Sequence, residues 1–175
     1  INNTNINGSI DDKIFNVKKR KNIYNIEDEI TIDGEFALGV HTYDKCDGSH
    51  NKNGIYSIIV NIDSTKIYEF KADKLDFRTS RYINAHIDYK EKKERREKYH
   101  RCFKLANNKL TNYTTLVNKG IININDTNTH SIKITISDFY KNQSELIFNV
   151  KLSSQQMNSY NRELKVLRSE QKETR

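Results

Sequence analysis

Repeated alternation of apolar and polar residues with a period of two most constrains what this chain can fold into. Tyr56, Ile58, Val60 and Ile62 fall on one face of an extended segment, and Ile132, Ile134 and Ile136 alternate with Lys133, Thr135 and Ser137. Leu146, Phe148, Val150 and Leu152 share a face, and Phe36, Leu38 and Val40 alternate with Ala37, Gly39 and His41. Successive side chains of a strand point to opposite faces, so each stretch reads as a half-buried β-strand. The stretch 55–62 carries apolar weight on both faces, through Ile55 and Ile59 as well, which suits a central strand. Turns at 63–65 and 140–142 are expected to close antiparallel hairpins. Further strands are expected at 13–17, before a basic turn at 18–21, and around Ile30 and Ile32, before the tight-turn pair Asp33-Gly34. After Gly120, which suits a left-handed helix cap behind a helical turn over 105–117, Ile121, Ile122 and Ile124 open another strand.

About seven short strands without βαβ alternation predict an all-β fold, an antiparallel immunoglobulin-like β-sandwich. The Cys-Trp-Cys arrangement of antibody domains is missing, since the chain has no Trp. At 175 residues the length suits one core. The expected organisation is an Asn-rich connector over 1–8, the sandwich over 9–152, and a polar tail over 153–175, helical or disordered. Because the chain opens on Ile1 and not Met, a fragment or processed product is expected.

One stretch breaks the strand rhythm: a charged helical insert is expected near residues 86–101. Glu91 precedes Arg95 by four residues, Glu94 precedes Lys98, and Glu97 precedes Arg101, the favourable orientation for helical ion pairs. Such pairs contribute a few tenths of a kcal/mol each, too little for a free helix of about 13 residues, so the helix needs anchored ends. Lacking an apolar face, it reads either as a solvated strap across one end of the sandwich or as a surface for an anionic partner.

The net charge of +7 would suit an anionic partner, yet acids are interspersed with the bases, and no zinc-finger spacing or RNP-like motif points to nucleic acid. No apolar run is long enough for a membrane helix. Cys46 and Cys102 match neither a zinc site nor a redox pair, and two independent thiols are preferred to a disulfide. The loop 43–54 offers Asp44, Asp47, Asn51 and Asn53 as oxygen donors but fails the calcium-loop template, so backbone-bonding turns are the preferred reading. Histidines 41, 50, 86, 100 and 130 form no HExxH or related local zinc motif, and neither a G-x-S-x-G elbow nor a P-loop occurs. His86 and Asp88 are the most suggestive reactive cluster, and a structural hydrogen-bond network is preferred to a catalytic pair.

The succession ALGVHTYDKCDGSHNKNGIYSI (37–58), RYINAHIDY (81–89), RCFKLANNKL (101–110), LVNKGIININD (116–126) and HSIKITISDFYKNQSELIFNV (130–150) resembles the β-sandwich domain that follows the catalytic domain in lysostaphin-type, or LytM-like, zinc metallopeptidases of the bacterial envelope. The resemblance covers about residues 8–152, and RYINAHIDY is its most specific part. Ser64 and Lys141 stand where that family tends to have turn glycines, and Cys46 where it tends to be apolar. The family holds zinc with H-x-x-x-D and H-x-H motifs, neither of which occurs here, so no ligand carries over. The resemblance implies a non-enzymatic accessory domain of a peptidoglycan-directed enzyme, with no metal or other cofactor of its own and zinc only in a peptidase half outside this chain. Its expected partners are that peptidase domain and, beyond it, peptidoglycan or another envelope protein, in the periplasm. Arg81, Tyr82, Asn84, His86 and Asp88 are the expected binding or packing residues. The alternative is an independent glycan-binding or adhesion sandwich of the envelope, suited to ten tyrosines and a basic strap.

Overall fold

The alternating segments pair so that their apolar faces merge. The computed structural model describes residues 5–21, 23–45, 52–74 and 76–154. Its strands are β1 (Asn5–Ile6), β2 (Lys18–Arg20), β3 (Ile23–Asn25), β4 (Ile30–Asp33), β5 (Gly39–His41), β6 (Asp44–Lys45), β7 (Lys52–Asn53), β8 (Ser57–Ile62), β9 (Thr65–Lys71), β10 (Tyr99–Arg101), β11 (Tyr113–Leu116), β12 (His130–Ser137) and β13 (Gln143–Leu152). Strand outweighs helix, 42% to 13%, which makes this a mostly-β fold dominated by one large curled sheet.

That sheet runs in the order β1-β4-β13-β12-β8-β9-β11, with β3 also on β13 and β2 on β3. The expected hairpins β8–β9 and β12–β13 are present, with Ile62 opposite Thr65 and Ser137 opposite Gln143. The purely antiparallel expectation is corrected. β3 and β4 both run parallel to β13, at residues 145–147 and 150–152 respectively, and the sheet is mixed. The cause is the length of β13: one edge is taken by β12, and the other would be a long unpaired row of backbone groups unless strands covered it.

Register puts Ile30, Val150, Phe148, Ile132, Ile134, Val60, Ile58, Tyr68 and Phe70 on one face, all buried. The opposite face carries Lys133, Glu145, Asn61 and Glu69, with Lys133 Nζ 3.4 Å from Glu145 Oε1. That face also carries half-buried Ile59 and Ile147, so both sides have apolar weight, but the first side is the more apolar and must be covered. The cover comprises β5 paired with β10, the single bridge between Phe36 and Ile122, and Leu110, Ile124 and Cys102, all buried.

Several local expectations change. Residues 12–17 are not in a strand, and β2 occupies the position read as a basic turn. All three β2 residues are exposed, and Lys18 and Arg20 pair with Glu27, so β2 is a polar edge without an apolar signal. The expected long helix is two short ones, α1 (Ile83–His86) and α2 (Tyr89–Glu94). Glu91 does pair with Arg95, at 3.3 Å, but Arg96 turns to φ +59° and the chain continues as β10. Strand pairing to β5 buries His100 and supplies backbone hydrogen bonds, which outweigh weak surface ion pairs. The helical turn expected over 105–117 is replaced by β11 and a 3-10 turn at Val117–Gly120, and only Ile122 of the strand expected at 121–124 forms a bridge. Gly120 is left-handed as expected, at φ +82°, but its function is close approach: a Cβ there would collide with the Cys102 carbonyl oxygen and lie 2.8 Å from Phe103 Cα. Lys141, at an expected glycine position, adopts φ +68°. In the loop 43–54, β6 pairs with β7, while Cys46, Asp47 and Asn51 lie outside the described residues, as do 1–4 of the connector and 155–175 of the tail.

Candidate functional site

The segment 81–89 joins the main sheet to its cover through one histidine. His86 closes α1, is fully buried, and stacks on Phe70 of β9 with ring centroids 4.1 Å apart and planes 14° from parallel. Its Nε2 lies 3.1 Å from Nδ1 of buried His100 on β10, and its Nδ1 lies 3.4 Å from the Tyr113 hydroxyl on β11. Asn108, also buried, donates from Nδ2 to that hydroxyl at 2.9 Å and accepts from the Leu110 amide at 2.9 Å.

The donor order then follows from the donors and acceptors each group has. Asn108 uses an acceptor site of the Tyr113 hydroxyl, leaving its proton for His86 Nδ1. His86 must therefore carry its proton on Nε2 and donate to His100 Nδ1, an assignment made from the network. Both rings are neutral in this scheme, and a second proton on either would set donor against donor. Burial first, then the unfavourable electrostatics of a second proton beside His100 and Arg101, lowers the His86 pKa to about 3. Burial, with Lys98 and His41, lowers that of His100 to about 4. A poised general base needs a pKa near working pH and access to substrate. These rings have neither.

Asp88 makes a second junction. Its carboxylate accepts from the amides of Lys90 and Glu91 at 3.0 and 3.3 Å, capping α2, while its other oxygen is 3.1 Å from Arg101 Nη2. Arg101 Nη1 donates to the Ala85 carbonyl at 3.2 Å, and the Asp88 amide donates to the Tyr99 carbonyl at 2.8 Å. The sequence pair His86 and Asp88 is thereby split: the imidazole enters the core and the carboxylate holds the surface. Tyr82 packs half-buried against the core, whereas Arg81 and Asn84 are exposed, Arg81 lying 5.6 Å over the Tyr82 ring. Cys102 is a free thiol, buried beside this network, and burial raises its pKa to about 12. That excludes a thiolate at neutral pH.

Sequence reading missed Asn108, Tyr113 and His100 as partners, because His86 meets His100 and Tyr113 across 14 and 27 positions, and Asn108 joins only through Tyr113. It also missed His130. That ring lies between two carboxylates, Nδ1 2.8 Å from Asp63 and Nε2 3.0 Å from Asp126. The Asp63 hydrogen bond, with help from Asp126, raises its pKa, and the carboxylates' own pKa values are lowered. Both ring nitrogens are occupied, so this is a clamp between the β8–β9 turn and β12 and not a free base. No group of three or more His, Cys, Asp or Glu side chains among the described residues is arranged to hold a metal. No described helix is long and apolar enough to cross a membrane.

Compared with known proteins, the chain matches no family model, no curated sequence and no solved structure.

Proposed function

We propose that this chain is a non-catalytic accessory domain of a peptidoglycan-directed, lysostaphin-type zinc metalloendopeptidase in the bacterial envelope. In this reading it positions or regulates a peptidase domain outside the chain. The observation that carries the proposal is the use made of the most specific motif. Its imidazole and carboxylate are consumed in holding one layer on another, with His86 neutral in the core and Asp88 clamping Arg101. Chemistry-bearing residues spent this way support a scaffold and argue against an active centre. The finer architecture we propose is an immunoglobulin-like sandwich, with β5, β10 and the Phe36–Ile122 bridge as the thin second layer over the main sheet. Support comes from the sheet's more apolar face and the buried residues that cover it.

The test is cleavage of purified sacculi by the peptidase encoded with this domain, assayed with and without the domain. Removal should slow digestion of intact sacculi while the zinc content of the remaining half stays unchanged. Stoichiometric zinc in the present chain, or hydrolysis by it alone, would overturn the proposal.

A further inference from the structure

We propose that residues 83–101, which carry α1, α2 and β10, are an acid-released latch: extra protons on the facing imidazoles of His86 and His100 free the segment while the main sheet beneath stays paired. This inference does not depend on the accessory-domain reading. The backbone hydrogen bonds of the segment stay on the cover side. The Ile87 amide donates to the Ile83 carbonyl, the Asp88 amide to the Tyr99 carbonyl, and β10 pairs with β5. Side chains make the crossing to the sheet. His86 stacks on Phe70 and meets the Tyr113 hydroxyl, and the Tyr68 hydroxyl donates to the Arg101 carbonyl at 3.1 Å. The ladders of β12 with β8 and β13 include neither imidazole. The sheet can thus persist while the latch opens, and opening bares Tyr68 and Phe70, both buried in the closed form.

The geometry leaves an added proton no partner. His86 Nε2 and His100 Nδ1 face each other at 3.1 Å, so a proton on both atoms sets donor against donor. Arg101 stands beside His86, and Lys98 and His41 beside His100, each a positive charge or able to become one. Phe70, the Tyr113 hydroxyl and the Cys102 thiol also lie against the pair and carry no charge at neutral or acid pH. The Asp88 carboxylate is held by Arg101 and by the amides of Lys90 and Glu91. A ring that leaves the interior meets water and regains its ordinary proton affinity, so each proton taken up draws the equilibrium towards the open form. Freed from the sheet, helices of four and six residues are too short to hold their own hydrogen bonds, and their amides become open to exchange.

Hydrogen–deuterium exchange of the whole chain, read peptide by peptide and corrected for the intrinsic effect of pH, tests the latch. Lowering the pH from 6 to 5 should raise the opening constant of residues 83–101 about fifty-fold, because each of two rings takes up nearly a full proton on opening. Urea well below the unfolding midpoint should leave that opening nearly unchanged while accelerating exchange in β12 and β13, since a local opening exposes little surface. In His86→Phe the latch should open more readily at every pH, but the same pH step should raise the opening constant only about sevenfold, as one ring remains. A structural role alone would shift the level and not the slope. Corrected rates over 83–101 that ignore pH would overturn the proposal, as would a fifty-fold rise kept in His86→Phe. Exchange over 83–101 at the rate of β12 and β13 and with the same urea dependence would mean that acid unfolds the whole domain, and would equally overturn it. The wild-type measurements decide the matter on their own should the variant fail to fold.

Discussion

Lowering the pH from 6.5 to 5 should cost this fold about 3 kcal/mol through two imidazoles. His86 and His100 have folded pKa values of about 3 and about 4, depressed from the ordinary 6.5. Below pH 6.5 the unfolded chain binds protons that the folded chain refuses, so their contribution is present above 6.5 and lost as pH falls towards the folded values. At 1.36 kcal/mol per unit, each ring loses roughly 1–2 kcal/mol over this interval. The total is a large share of the ~5–15 kcal/mol that stabilises a typical domain. The window is clean on both sides. His130, whose pKa is raised, contributes fully below 6.5 and loses its share only at higher pH. Glu69 is held at about 2, since hydrogen bonds from Lys66 and Lys71 overcome the opposing effect of burial, so its contribution is lost only at more acidic pH. Urea unfolding followed by circular dichroism at half-unit steps, with the slope m constant, reads the loss. His86→Phe keeps a ring against Phe70 and removes one titration, so the variant should be less stable throughout but lose only about half as much between pH 6.5 and 5. A wild-type change under about 0.5 kcal/mol, or an unaltered loss in the variant, would refute the buried neutral pair.

Other consequences follow from single contacts. Gly120→Ala places a Cβ against the Cys102 carbonyl at a left-handed position and should cost about 2–3 kcal/mol in unfolding free energy, with no alternative rotamer to relieve it. Asp88→Ala removes both the α2 cap and the Arg101 partner and should cost about 1–2 kcal/mol, with Asp88→Asn recovering part of the capping share. Cys102 should resist a thiol reagent in the folded protein and react at once in denaturant, and rapid labelling of it in the native state would contradict its burial. Calcium at millimolar concentration should leave the melting temperature unchanged if the loop 43–54 is only a set of turns, whereas a rise would reveal a site.

The strands with strict period two were legible because burial on one face leaves its pattern in the residues themselves, as in β8, β12 and the second half of β13. β2 and β10 were not. Lys18–Arg20 is exposed throughout, and Tyr99–Arg101 follows a charged run with ideal helical spacing, so pairing with β3 and β5 decides each against local preference. The parallel edge of β13 leaves no local trace either, since it depends on where a distant segment arrives. Within the candidate site, the sequence marked His86 and Asp88 as a pair by adjacency. Their separation, one into the core and one to the surface, follows from Ile87 turning extended between two helices. His130 was invisible because its carboxylates come from a turn 67 positions away and from Asp126 beyond a loop.

The sequence of the reading frame immediately upstream of Ile1 tests the central claim most directly. The account predicts a peptidase domain carrying H-x-x-x-D and H-x-H zinc motifs in the same frame. A frame without those motifs, or one coding for an unrelated module, would contradict it.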